Sequence, residues 1–153
     1  MLGAHGLGTR LRLLTAALDD AVEEIYKLRG LNFRPRYFPY FRMLMERESM
    51  SVGEFVSALG FTQPATTQTL QIMREAGLVE TVQTGDRRMR RYQLTQQAKA
   101  IVPRLEEVWA AVAAAAERLD EALPASLDST VDAALDHLSS HPFRQMIELE
   151  IAE

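Results

Sequence analysis

Uncharged hydrogen-bonding side chains recur with helical spacing in the middle of this sequence. Gln63, Thr67, Gln68 and Gln71 lie on one face of a helix if residues 62–77 are helical. A glutamine can make paired hydrogen bonds to an adenine edge, and a threonine offers a hydroxyl to a base or a methyl group to thymine. The same side chains are also ordinary on a solvent-facing helix. The helix face alone therefore does not distinguish base reading from a solvated surface.

A cluster of positive charge follows this helix. Four arginines fall within five positions, and Asp86 is the only acid beside them: Arg87, Arg88, Arg90 and Arg91. Charges this close repel one another unless phosphates neutralise them or one side chain enters a narrow minor groove. Strand alternation places Tyr92 on one face and Arg91 on the other, so we expect Arg91 to point to solvent. Next to the preceding helix, the cluster favours nucleic-acid binding.

Capping signals predict the elements that hold these residues. Ser51 and Glu54 form a capping box, which opens a short helix, and Gly60 ends that helix in a left-handed turn. Thr62 can then cap a second helix, in which Pro64 is tolerated because it falls in the first turn. Two helices joined by so tight a turn are typical of a helix-turn-helix.

The second helix is expected to end at Gly77 and to be followed by a β-hairpin. Its inward face is predicted to carry Thr66, Leu70 and Met73. Residues 78–83 and 90–94 have strand character and bracket a turn-forming segment at 84–87. This order of elements is a winged helix-turn-helix, which can project its second helix into a major groove.

The motifs LGFTQPATTQTLQIMREAGLVE and GDRRMRRYQLT resemble the multiple antibiotic resistance regulator (MarR) family of bacterial transcription factors. The matching features span about residues 51–99, and the flanking helices agree with the layout of the family. The resemblance implies a homodimer that binds a pseudo-palindromic operator in double-stranded DNA. It implies that Arg88 enters the minor groove while Asp86 braces the wing. The expected recognition-helix contacts are Thr62, Gln63, Pro64, Thr67, Gln68 and Gln71.

Two positions depart from the family pattern. Position 68 is often basic in the family, whereas Gln68 is neutral, so the base preference cannot be transferred. Ala98 stands where the family often has glycine, which only strengthens the following helix. The branch of the family that senses through a reactive cysteine is excluded, because the chain has no cysteine.

Composition limits the other classes of function. Of the 153 residues, 47% are hydrophobic and 25% are charged, as in an ordinary soluble protein. The longest uncharged apolar run, Val108–Ala116, is far too short for a membrane span, and no signal peptide is evident. We therefore expect a cytoplasmic protein. No catalytic motif is found, and His137 and His141 precede a helix-breaking Pro142, so the sequence predicts no enzyme activity, cofactor or metal site.

The net charge of −4 conceals a strong asymmetry. Residues 1–104 carry 15 Lys and Arg against 10 Asp and Glu, whereas residues 105–153 carry 2 against 11. The basic excess lies on the part that contains the helix-turn-helix, and the acidic excess lies on the tail. A negative average is therefore compatible with DNA binding.

Both flanks of the chain carry long apolar stripes with helical spacing. The first runs from Leu7 to Leu28 and the second from Ile101 to Leu123, where Pro103 is expected to kink the helix. These apolar faces could pack within one chain or against a second subunit. They are more extensive than one subunit easily buries, which favours packing against a second subunit. We predict dimerisation helices at about 1–31 and 100–153 and a winged-helix lobe at about 35–99, in a mainly α fold with a small β-hairpin wing.

An aromatic segment, NFRPRYFPYFRMLM at residues 32–45, precedes the helix-turn-helix. Its simplest interpretation is hydrophobic core. The alternative is a cleft for a small aromatic effector, as the family resemblance implies, with Arg36, Tyr37, Tyr40 and Phe41 as its candidate residues.

Three functions from different classes agree with the sequence. The first is a homodimeric DNA-binding regulator, most simply a ligand-responsive repressor. The second is a winged-helix module that binds other proteins. The third is a partner subunit of an acetyltransferase, although the sequence has no glycine-rich loop suited to coenzyme A phosphates.

Overall fold

The computed structural model describes residues 6–83, 85–86 and 89–152. The fold is mainly α-helical with a small antiparallel sheet, as the sequence predicts. The helices are α1 (Leu7–Leu28), α2 (Phe38–Glu46), α3 (Val52–Leu59), α4 (Gln63–Glu75), α5 (Gln96–Glu121), α6 (Leu127–Ser140) and α7 (Phe143–Ala152), and a 3₁₀ turn covers Pro35–Tyr37. The strands are β1 (Met50–Ser51), β2 (Val79–Gln83) and β3 (Arg90–Leu94).

The chain divides into two compact units between Val108 and Trp109. This division lies inside α5, so that helix α1 and the first half of α5 belong to the unit that contains the winged helix. Helix α5 continues through Pro103. Helices α6 and α7 belong to the second unit.

Aromatic rings form the core of the first unit around Phe33. The ring of Phe33 makes edge contacts with Tyr26, Tyr37 and Phe41, at centroid distances of 5.1, 5.6 and 5.2 Å. All four side chains are buried. Such edge-to-face pairs stabilise the core beyond the burial of their area. The aromatic segment therefore connects α1 to α2 through these ring contacts.

The sheet has the order β1–β3–β2, with β3 in the centre. The β2–β3 hairpin is the predicted wing, and its pairing runs from Val79 with Leu94 to Gln83 with Arg90. Strand β1 was not predicted, because two residues are too few to show strand periodicity. Its pairing with β3 connects the start of α3 to the wing hairpin.

The predicted apolar stripe of α1 is largely exposed. Only Tyr26 of this helix is buried, while Leu7, Leu11, Leu18 and Leu28 remain open to solvent. The stripe is thus not part of the core of the first unit.

The second unit has almost no core of its own. No residue of α6 or α7 is buried, and their exposed apolar side chains are Val131, Leu135, Leu138, Phe143, Ile147, Leu149 and Ile151. Ser126 caps α6, since its hydroxyl accepts a hydrogen bond from Ser129 N at 3.1 Å. Well-formed helices with unburied apolar faces normally pack against another surface.

Candidate nucleic-acid interface

Capping contacts define the start of α3, its end and the start of α4. Glu54 N donates to Ser51 Oγ at 3.3 Å, and Ser51 N donates to Glu54 Oε2 at 2.7 Å, which completes the predicted capping box. Gly60 has a φ of 73°, a left-handed conformation that disfavours side chains. Thr62 Oγ1 then accepts from Ala65 N at 3.3 Å and so caps α4. These signals predicted both helices correctly.

The inward face of α4 fixes how the helix is rotated. Thr66, Leu70 and Met73 are fully buried, as expected from their spacing. The hydroxyl of Tyr40 donates to Thr66 Oγ1 at 3.3 Å, so these two buried polar groups satisfy each other. A helix anchored along one side must present its opposite side to solvent.

The outward face of α4 carries the predicted base-reading residues. One open surface is lined by Gln63, Pro64, Ala65, Thr67, Gln68 and Gln71. All of these side chains are exposed. The side-chain amide of Gln71 donates to Glu75 Oε1 at 2.9 Å, so a base contact would compete with that bond. Thr62 is exposed as well, but its hydroxyl oxygen serves the helix cap.

In the wing hairpin, Gln83 and Arg90 are the last paired residues of β2 and β3. Arg87 and Arg88, predicted to contact DNA, lie outside the described residues. Arg90 and Asp86 are exposed. The carbonyl of Asp86 accepts a hydrogen bond from Met89 N at 3.2 Å. Bracing of the wing by the Asp86 side chain stays a prediction.

The expectation that Arg91 points to solvent is wrong. Its side chain is only 20% exposed, and Nη1 lies 2.9 Å from Glu54 Oε2 in a salt bridge. Nε donates to Ser49 Oγ at 2.9 Å, and Nη2 donates to the Ser49 carbonyl at 2.7 Å. Strand alternation correctly places Arg91 opposite the buried Tyr92, but α3 and the loop before β1 cover that face.

The hydrogen bonds and the salt bridge of Glu54 change the pKa of its carboxyl group. The backbone hydrogen bond from Ser51 is the main cause that lowers its pKa below the ordinary value of 4.5, and Arg91 lowers the pKa further. The carboxylate therefore stays ionised at neutral pH.

Arg74 is a residue that the sequence did not single out. It lies in the last turn of α4 and lines a recess together with strand β2 and the wing residues Asp86, Met89 and Arg90. Its position adds a positive charge where the end of α4 faces the wing. A basic residue at a helix C-terminus is common, so its spacing gave no specific signal.

The candidate effector residues are mostly core. Tyr37, Tyr40 and Phe41 are buried, which agrees with the core interpretation of the aromatic segment. Arg36 is exposed, and its guanidinium carbon lies 5.9 Å from the centroid of the Tyr37 ring. A ligand at these residues would require the aromatic rings to move apart.

Among the described residues, no group of three or more His, Cys, Asp or Glu side chains could hold a metal ion. His137 and His141 stack with ring centroids 4.5 Å apart. No helix in the described ranges is long and apolar enough to span a membrane.

Comparison with known proteins finds similarity to one family model and to solved structures. The MarR family model matches residues 30–89. No curated protein matches the sequence.

Solved structures show the same fold at low sequence identity. A mutant of MarR from E. coli in complex with operator DNA is 20% identical, with a TM-score of 0.66, and the match covers 86% of this chain and 92% of the other. The transcriptional regulator MosR from M. tuberculosis in complex with DNA is 19% identical, with a TM-score of 0.70 and coverage of 90% and 98%. The organohalide-sensing regulator RdhR in its 2,4-dichlorophenol-bound form is 16% identical, with a TM-score of 0.71 and coverage of 89% and 79%.

Proposed function

We propose that the protein is a homodimeric transcriptional regulator that binds a pseudo-palindromic DNA operator, since the MarR family model matches residues 30–89. Helix α4 lies in the major groove, and the wing reaches the adjacent minor groove. The E. coli MarR and M. tuberculosis MosR structures, both solved with DNA, support this assignment.

The observation that carries the proposal is the outward face of α4. Burial of Thr66, Leu70 and Met73 leaves Gln63, Thr67, Gln68 and Gln71 as an exposed row of uncharged donors and acceptors. Uncharged side chains lack the ionic attraction of Lys and Arg for phosphates, whereas base edges in the major groove offer them matching acceptors and donors. Arg74, Arg87 and Arg90 would supply the phosphate contacts, and Arg88 would enter the minor groove.

Unburied apolar faces support the homodimer. Helix α1 exposes leucines along its length, and α6 and α7 have no buried residue. A second copy would cover these faces without requiring a different partner. A two-fold dimer also places two recognition helices for two half-sites.

A small aromatic ligand is the proposed signal, and release of a repressor from DNA is the proposed response. The dichlorophenol-bound structure of RdhR supports an aromatic ligand in this fold. In this chain, Tyr40 links the aromatic segment to α4 through its bond with Thr66. Separation of the rings around Tyr40 would therefore disturb the recognition helix.

Selection of bound duplexes from a random DNA pool tests the proposed function. The purified protein is expected to enrich two inverted half-sites whose centres are about one helical turn, or a multiple of it, apart. Enrichment of a single half-site would contradict the dimeric mode of binding. A pool without enrichment would contradict operator binding and would favour a protein-contact module or an acetyltransferase partner.

A further inference from the structure

Most N–H donors of the Arg91 guanidinium group already have a partner within the protein. Nη1 pairs with Glu54 Oε2 at 2.9 Å, and Nη2 lies 3.4 Å from Glu54 Oε1. Nε donates to Ser49 Oγ, and Nη2 also donates to the Ser49 carbonyl. A guanidinium has five N–H donors, so these four contacts leave about one donor unused. A phosphate could bind Arg91 only by displacing one of these partners or by using that last donor.

Glu54 is shared between two elements. Its carboxylate receives Ser51 N at 2.7 Å as part of the α3 capping box, and it receives Arg91 from strand β3. The same glutamate thus contacts both the start of α3 and strand β3 of the wing. Paired, two-point contacts between guanidinium and carboxylate restrict orientation as well as distance.

We propose that Arg91 and Glu54 form a lock that holds the wing in a fixed orientation relative to the helix-turn-helix. Arg91 is then a positioning residue that acts on DNA binding through the wing and not by contacting phosphate. This inference rests on the proposed function. Its physical basis is preorganisation, because a wing that is already oriented loses less conformational entropy when it enters the minor groove.

The variant Glu54→Gln distinguishes the lock from a general effect of charge on operator affinity. Glutamine at the third helical position still completes a capping box, so α3 should keep its N-terminus. Removal of a negative charge near the DNA-binding surface would strengthen binding if only charge mattered. Loss of the lock predicts the opposite sign, an operator affinity weaker by about 3- to 10-fold, as expected when one or two side chains must be reordered on binding.

The matched control is Glu48→Gln, which makes the same change in charge at an exposed position just before β1. We expect this control to bind the selected operator as tightly as the unmodified protein, or slightly more tightly. Weakening by the control equal to that of Glu54→Gln would overturn the lock, because a general effect of charge or stability would then be sufficient.

A double-mutant cycle gives an independent measurement of the coupling. If the two residues act as one lock, Glu54→Gln should add nothing to the loss of affinity caused by Arg91→Gln. If they act only through their charges, the two effects oppose each other and the double variant should bind nearly like the unmodified protein. That second result would overturn the proposal.

Hydrogen exchange of the DNA-free protein tests the lock even if the proposed function fails. Backbone amides of β2 and β3 should exchange faster in Glu54→Gln than in Glu48→Gln. Unchanged exchange in the wing overturns the lock, whatever the DNA result. Faster exchange combined with unchanged or tighter operator binding overturns its role in DNA recognition. Failure of the unmodified protein to bind any DNA contradicts the proposed function alone, and the exchange result then decides whether the lock exists.

Discussion

Substitution of Leu135 by alanine should weaken the proposed homodimer while leaving the single chain folded. Leu135 lies on α6 and is 62% exposed in the isolated chain. Alanine is the best helix former, so the substitution does not weaken α6 itself. Any effect on assembly then reports contact with a second copy.

The expected loss of dimer stability follows from the exposed fraction of the Leu135 side chain. Complete burial of a leucine side chain stabilises by roughly 1.5–3 kcal/mol, so burial of the remaining exposed part contributes roughly 1–2 kcal/mol per copy. A two-fold dimer contains the substitution twice, and the alanine methyl group retains part of the effect. We expect a total loss of roughly 2–3 kcal/mol, which raises the dimer Kd by about 30- to 150-fold.

Fluorescence-detected sedimentation across a dilution series measures this Kd at low protein concentration. The control is Asp136→Ala, which by helical periodicity lies on the side of α6 away from the apolar stripe. Its dimer Kd should change little. Equal constants for Leu135→Ala and the control, or an unmodified protein that sediments as a monomer, would refute the reasoning.

Three further changes test the recognition helix, the wing and the core beneath them, and a fourth tests the electrostatics. Gln68→Ala should alter the selected DNA motif and leave the salt dependence unchanged, because the side chain is uncharged; an identical motif would exclude base reading. Arg88→Ala should weaken operator binding by about 1–3 kcal/mol without changing the dimer Kd, and unaltered affinity would refute its role. Tyr40→Phe should lower the free energy of unfolding by about 1 kcal/mol, measured by urea denaturation, since Thr66 loses its partner. The pKa of Glu54 is lowered by folding, so its stabilisation is present above its unfolded pKa and is lost as pH falls through the folded value. Thermal unfolding should therefore show a Tm advantage over Glu54→Gln that is present at pH 7 and shrinks below about pH 4; a constant difference would contradict the ion pair.

Local signals predicted the helix-turn-helix well because each signal is completed within a few residues. The capping box joins Ser51 to Glu54, the left-handed turn needs only Gly60, and the cap of α4 joins Thr62 to Ala65. The burial of α4 followed from its helical period alone.

Contacts between distant parts of the chain could not be predicted in this way. The partners of Arg91 lie 37 and 42 positions away, so strand alternation gave its face but not what covers that face. Strand β1 has only two residues and exists through its pairing with β3. The hydrogen bond between Tyr40 and Thr66 likewise requires the folded packing of α2 against α4.

Fluorescence anisotropy of the purified protein on DNA from its own promoter, with a shuffled duplex as control and a series of salt concentrations, tests the central claim most directly. The account predicts tight binding to the promoter DNA, weaker binding to the shuffled duplex, and affinity that falls steeply as salt rises because phosphate contacts release counterions. Equal affinity for the two duplexes at every salt concentration would contradict operator recognition by this winged helix.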